Sequence, residues 1–121
     1  MTILNLTQHP ATEDQLLAGV VEPLKAEKKD IKSLLTFTDL PVKEQVVHKA
    51  VALAYIAKGC GADAAMIGGA PYLMPELAKQ LKDVGIKPLF SFTERVVQKE
   101  VGEDGNVVKT SIFKHQGFVE A

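Results

Sequence analysis

The residues of this chain best suited to phosphate and proton chemistry each stand beside a break in an apolar run. Arg95 is the single arginine among 14 basic residues. Its planar guanidinium can hold two phosphoryl oxygens at once, which a lysine ammonium cannot imitate. It follows Thr93 and Glu94 at the end of the apolar run Ile86 to Thr93. Pairing in solvent with Glu94 or Glu100 is the plainer use of such an arginine. Gly68-Gly69-Ala70-Pro71 ends a second apolar run, Ala62 to Ile67, and precedes a helical pattern. Two flexible glycines and the unpaired N–H groups of a helix start together favour a phosphate or carboxylate. Glycines also simply turn a chain, and this pair lacks both the dinucleotide-binding fingerprint and the lysine of a P-loop. Thr7-Gln8-His9-Pro10 ends the first apolar run and supplies a hydroxyl, an amide and an imidazole. His115 closes the last alternating run. His48 falls mid-helix beside lysines and reads as exposed, and Cys60, with no histidine near it in sequence, reads as a structural thiol.

The elements that must position these residues alternate between strand and helix. Thr2 to Thr7 alternates apolar and polar positions, as a strand does. Thr12 followed by Gln15 is a capping-box signature for a short helix ending at Gly19. Val20-Val21 reads as a very short strand and Pro23 to Leu35 as a mostly exposed helix. A clearer helix starts near Asp39 to Glu44, with Val42, Val46, Val47, Ala50, Leu53, Ala54 and Ala57 on one face, and stops at Gly59 and Gly61. Ala62 to Ile67 is apolar enough for a parallel strand covered on both faces. A third clear helix starts with Pro71 or Pro75 in its first turn, buries Leu73, Leu77, Leu81 and Val84, and ends in a left-handed cap at Gly85. Ile86 to Thr93 is a further strand, and Arg95 to Val101 and Val107 to His115 pair as a hairpin around the turn Gly102 to Asn106.

This order predicts one α/β domain over residues 1–121, a compact Rossmann-like sandwich whose mostly parallel sheet is extended by an antiparallel hairpin. Ligands of such sheets bind beyond the carboxyl ends of the parallel strands. The loops at Thr7 to Pro10, at Gly68 to Pro71 and at Thr93 to Arg95 are therefore expected to converge, and the hairpin brings His115 back beside Thr93.

The composition narrows the ligand. The 121 residues carry 14 basic and 15 acidic side chains, a formal charge of −1. Grip on long nucleic acid scales with phosphates neutralised and usually needs a basic face, so a small anion is the better fit. One cysteine and three scattered histidines form no metal-ligand spacing, so no metal or other cofactor is expected. The amino terminus shows no secretory leader and no window is apolar enough for a membrane span; the cytoplasm is the expected compartment.

The carboxyl half resembles a small CRISPR-associated family of ring nucleases, themselves similar to the nucleotide-sensing CARF-type Rossmann domains. The resemblance rests on Gly68-Gly69 with Tyr72-Leu73, on Thr93-Glu94-Arg95, on Asp104-Gly105, and on Phe113-Lys114-His115-Gln116-Gly117-Phe118. The segment Leu4 to Gln15 is similar more loosely. The turn departs from the family by lacking an acidic residue after its glycine. The resemblance implies a homodimer that binds a cyclic oligoadenylate of type III CRISPR signalling across its two-fold axis and linearises it without a metal. It implies catalytic roles for Arg95, His9 and His115, with Thr7, Gln8, Gly68, Gly69, Ala70, Thr93 and Glu94 around the ligand. A nucleotide sponge or sensor that does not cleave, and a dimeric interaction protein of phage or accessory type with no ligand, are the alternatives.

Overall fold

In the computed structural model, residues 1–103 and 105–121 are described, the side chains of 98, 100 and 110–113 excepted. The elements run β1 (Ile3–Leu6), α1 (Glu13–Leu17), β2 (Val20–Val21), α2 (Lys25–Leu35), α3 (Lys43–Gly59), β3 (Ala64–Ile67), α4 (Met74–Asp83), β4 (Lys87–Val101) and β5 (Val107–Glu120). One sheet of order β2-β1-β3-β4-β5 results, parallel throughout except for the antiparallel β4-β5 pair. This is the α/β class expected, with its parallel sheet and carboxyl-terminal hairpin. No helix among the described residues is long and apolar enough to cross a membrane.

The local signals act as their chemistry requires. Thr12 and Gln15 form a reciprocal capping box at α1, each side chain accepting from the other's backbone N–H. Gly85 takes φ +80° after α4, a backbone region that favours glycine. Pro75 sits in the first turn of α4, where a missing N–H costs nothing. All four residues of β3 are buried, because Ala65 and Ile67 pack into the helical core and Ala64 and Met66 into a smaller cluster with Ala11 and Phe118.

Three expectations change. Val42 is exposed rather than in the core, because it is the residue before α3 and its N–H is held by Gln45 Oε1 at 3.1 Å. Thr93 to Arg95 is no loop: β5 pairs with β4 along its whole length, so the backbone there has partners and the strand continues to Val101. Gly68-Gly69 does not lead directly into a helix start. A turn intervenes, and the N–H groups of Leu73 and Met74 both point to Ala70 O, so the row of unpaired donors expected beside the glycines is shortened. The turn of the hairpin is closed by Gly102 N–H to Asn106 O at 2.8 Å, while Asp104 lies outside the described residues.

Candidate functional site

Strand β1 leads through α1 to β2 on one side, whereas β3 leads through α4 to β4 on the other. The connections therefore diverge between β1 and β3, and side chains beyond those two carboxyl ends have room to form a crevice. A cleft of about 550 Å³ lies there, with Thr7, Gln8, His9, Gly68 and Gly69 on its walls and Gln15 and Ser91 at one side. The expected convergence of the first two loops is therefore present. Gly69 sits at φ +149°, a conformation that side-chain-bearing residues rarely adopt, and this lets the backbone itself form the wall.

The first wall is fixed from below by Asn5, which is 2% exposed in an otherwise apolar strand. Strand β2 pairs only with Ile3 and Leu4, so from Asn5 onward β1 runs along an open edge. The Asn5 side chain takes up the groups left there. Its amide donates to His9 O and to Glu22 Oε1, both at 2.8 Å, and its oxygen accepts from the Thr7 N–H and hydroxyl at 3.0 and 2.7 Å. Glu22 also accepts from the Ala11 N–H at 2.7 Å and pairs with Lys28 at 2.9 Å. Burial pushes the Glu22 carboxyl up, but the hydrogen bonds from Asn5 and Ala11 and the Lys28 ammonium outweigh it and hold the group below its ordinary value. Thr7 to His9 is thus a braced loop.

The opposite side is built by a β-bulge. Phe92 pairs with Gly117 but Thr93 pairs with His115, leaving Gln116 as an extra residue on β5. One odd residue shifts the alternation by one, so His115 rather than Gln116 shares a face with Thr93, Ser91 and Phe118. The His115 ring packs on Phe118 at 4.6 Å between centroids, and its Nδ1 lies 2.6 Å from Ser91 Oγ. Gln15 orients this pair. Its oxygen is occupied by the Thr12 N–H, so its amide nitrogen faces Ser91 Oγ and donates to it at 3.1 Å. Ser91 Oγ has two further polar neighbours, His115 Nδ1 at 2.6 Å and Thr93 Oγ1 at 3.4 Å. His115 Nε2 is a buried atom with no hydrogen-bond partner among the described residues. A hydroxyl within hydrogen-bond reach of an imidazole is the arrangement that activates a hydroxyl or relays a proton.

Of the residues singled out by sequence, the cleft gathers Thr7, Gln8, His9, Gly68 and Gly69, and His115 stands behind Ser91 with Thr93 beside it. Ala70 packs against the larger core cluster. Glu94 and Arg95 are exposed on β4 beyond the cleft, and alternation puts Arg95 on the Ser91 face and Glu94 on the other. The Glu100 side chain lies outside the described residues. His48 is exposed as expected. Cys60 has a carboxylate partner that its sequence neighbours do not reveal. Its Sγ is 2.7 Å from Glu27, and burial together with that carboxylate pushes the thiol up to about 11. Sequence reasoning passed over Asn5, Gln15 as more than a cap, Glu22 and Ser91. The signals were a polar residue inside each of two apolar strands, and Gly117, whose place in a strand marks a bulge.

No curated protein and no solved structure matches this chain. A family model described as "Uncharacterized protein MJ1673 family" matches residues 1–119. With that model spanning all but two of the 121 residues, the chain belongs to the MJ1673 family.

Proposed function

We propose that this chain binds a cyclic oligoadenylate in the cleft between the ends of β1 and β3 and cleaves it to linear products. The observation that carries this reading is the Ser91–His115 pair, poised for proton transfer beside a cleft whose other wall holds His9 and two backbone-exposing glycines. Such a ligand brings its own nucleophile. A ribose 2′-hydroxyl loses its proton to Ser91 as Ser91 passes its own to His115 Nδ1. The 2′-oxygen attacks the adjacent phosphorus and the bond from phosphorus to the 5′-oxygen breaks. His9 protonates that 5′-oxygen, leaving a 2′,3′-cyclic phosphate and a 5′-hydroxyl. Holding the 2′-oxygen in line with the leaving oxygen supplies much of the acceleration. Backbone N–H groups at Gly68 and Gly69 oppose the charge that develops on the phosphoryl oxygens.

Arg95 belongs to this scheme through a second copy. It lies four residues past Ser91 on the same face, about 13 Å farther along the strand at 3.3 Å per residue. A ring shared by two clefts of a homodimer extends toward that position. A neutral chain suits a compact ligand, since a few phosphates need local donors rather than a basic surface.

The test is incubation with cyclic tetra-adenylate followed by chromatography, with and without EDTA. Linear product ending in a cyclic phosphate is expected in both. Ser91→Ala and His115→Ala should each lower turnover by roughly 10² or more while retaining ligand, as loss of a positioned acid or base does. Arg95→Ala should lose turnover without a change in thermal melt. Intact, retained ligand with the native protein would reject cleavage and leave a sponge, and no retention would reject the ligand.

A further inference from the structure

Besides the cleft, α2 and α3 enclose a shallow pocket whose lining is wholly cationic or hydroxylic: Lys29, Lys32, Ser33, Thr36, Thr38 and Lys49. The sequence around Lys25 to Lys32 mixes acids with bases, but neither Glu27 nor Asp30 of this helix lines the pocket. Glu27 turns away to Cys60, and Lys28 is spent on Glu22. Lys29 and Lys32 make no ion pair among the described residues. Lys49 reaches across from α3, its Nζ 2.5 Å from Thr36 O and 4.2 Å from the centre of the Phe37 ring, which fixes a long and flexible side chain in place. Thr36 Oγ1 donates to Lys32 O at 2.7 Å, leaving the Ser33 and Thr38 hydroxyls without a partner among the described residues. Three ammonium groups gathered without a carboxylate in the lining repel one another, and an anion relieves that repulsion.

The pocket adjoins the cleft. Gln8, on the cleft wall, donates to Thr36 Oγ1 at 3.4 Å. Lys32 is shared with a smaller hollow lined by Thr7, His9 and Glu22.

We infer that Lys29, Lys32 and Lys49, with the Ser33 and Thr38 hydroxyls, form a second anion subsite that takes phosphoryl groups. Lysine serves here as a point charge for a group approached from several directions, whereas the cleft offers backbone N–H groups and imidazoles. The subsite receives either an outlying phosphate of the ligand in the cleft or a free phosphate compound. The first source rests on the cyclic nucleotide reading; the subsite itself does not.

The experiment is an amide NMR titration of the full chain with inorganic pyrophosphate against sodium chloride at matched ionic strength. Saturable shifts are expected at Ser33, Thr36 and Thr38. The variant Lys29→Gln/Lys32→Gln, both positions being on the exposed side of α2, should keep the thermal melt and bind pyrophosphate at least about tenfold more weakly, as loss of charge-assisted hydrogen bonds predicts. Ser91→Ala should leave this titration unchanged. Shifts that grow linearly and equal those from chloride, or binding undiminished in the lysine variant, would overturn the subsite. A parallel titration with cyclic tetra-adenylate separates the sources. Competition with pyrophosphate at the same amides assigns the pocket to the cleft ligand. Pyrophosphate binding without any response to the cyclic nucleotide keeps the subsite for a free phosphate compound and removes the proposed function.

Discussion

On one face of the sheet, Leu4, Leu6, Ala65 and Ile67 meet three helices, which add Ile31, Leu35, Leu53, Leu77 and Leu81 to a continuous core. On the other face, among the described residues, Ile3, Val20, Ala64, Met66 and Leu89 are joined by the half-buried Ala11 and Phe118, and α1 on this side is a five-residue helix with no buried side chain. The Ser91, Gln15 and His115 cluster lies on this thin face. The bulk of the apolar core and this polar cluster are therefore segregated. The thick face supplies the apolar burial that orders the backbone, and the thin face leaves polar groups near enough to solvent for a ligand to reach them. Leu16 and Leu17 of α1 remain 48% and 82% exposed, which marks how little apolar surface the thin side withdraws from water.

The sharpest test of this division is truncation on each side. Leu77→Ala removes a fully buried side chain from the packing between α4 and its neighbours, and should cost about 2–5 kcal/mol in urea unfolding. Leu17→Ala should cost less than about 0.5 kcal/mol, as exposed positions do. A loss at Leu17 comparable to that at Leu77 would show that α1 packs against something beyond this chain, such as a second copy.

Asn5→Ala tests whether the cleft wall is held by polar groups instead of by the thick core. The substitution removes two donors and an acceptor that together brace Thr7, His9 and Glu22. Stranding such partners costs about 1–3 kcal/mol, below the effect expected at Leu77. Equal or greater loss would mean that the open edge of β1, not the helical face, is the main support of the fold.

Features written in local chemistry were legible in the sequence, and features set by register were not. The Thr12–Gln15 box, Val20-Val21, the Gly85 cap and the helix of Lys43 to Gly59 follow from neighbours within a few residues, and each stands where its residues indicate. The loop assigned to Thr93 to Arg95 failed because nothing local says that β5 will pair without interruption along β4. The same long-range fact decides the site. Whether His115 or Gln116 faces Ser91 depends on one odd residue in a ladder formed by segments more than 20 residues apart. Thr7, His9 and the glycines were found because strand ends in a parallel sheet converge by topology alone. Asn5 and Ser91 were passed over because a polar residue in a short strand reads as solvent-facing until its partners are known. Acids and bases mix along Lys25 to Lys32 in sequence, and it is the fold that turns Glu27 to Cys60.

The smallest effect expected concerns the pH at which the braced wall loosens. The hydrogen bonds from Asn5 and Ala11 and the Lys28 ammonium prefer the ionised Glu22 carboxylate, so folding lowers its pKa from the ordinary 4.5. A group depressed by folding contributes stability that is present above its unfolded value and lost as the pH falls through its folded value. Glu22→Gln keeps the side chain's shape and removes the charge. Its melting temperature should lie below that of the native chain at pH 7, and the gap should narrow as the pH drops below 4.5, since the native chain then carries a protonated group as well. Parallel melting curves down to pH 3 would show that the carboxylate charge is irrelevant to the wall. A gap that closes near pH 7 instead would assign the titration to a histidine, and with it the bracing of the cleft.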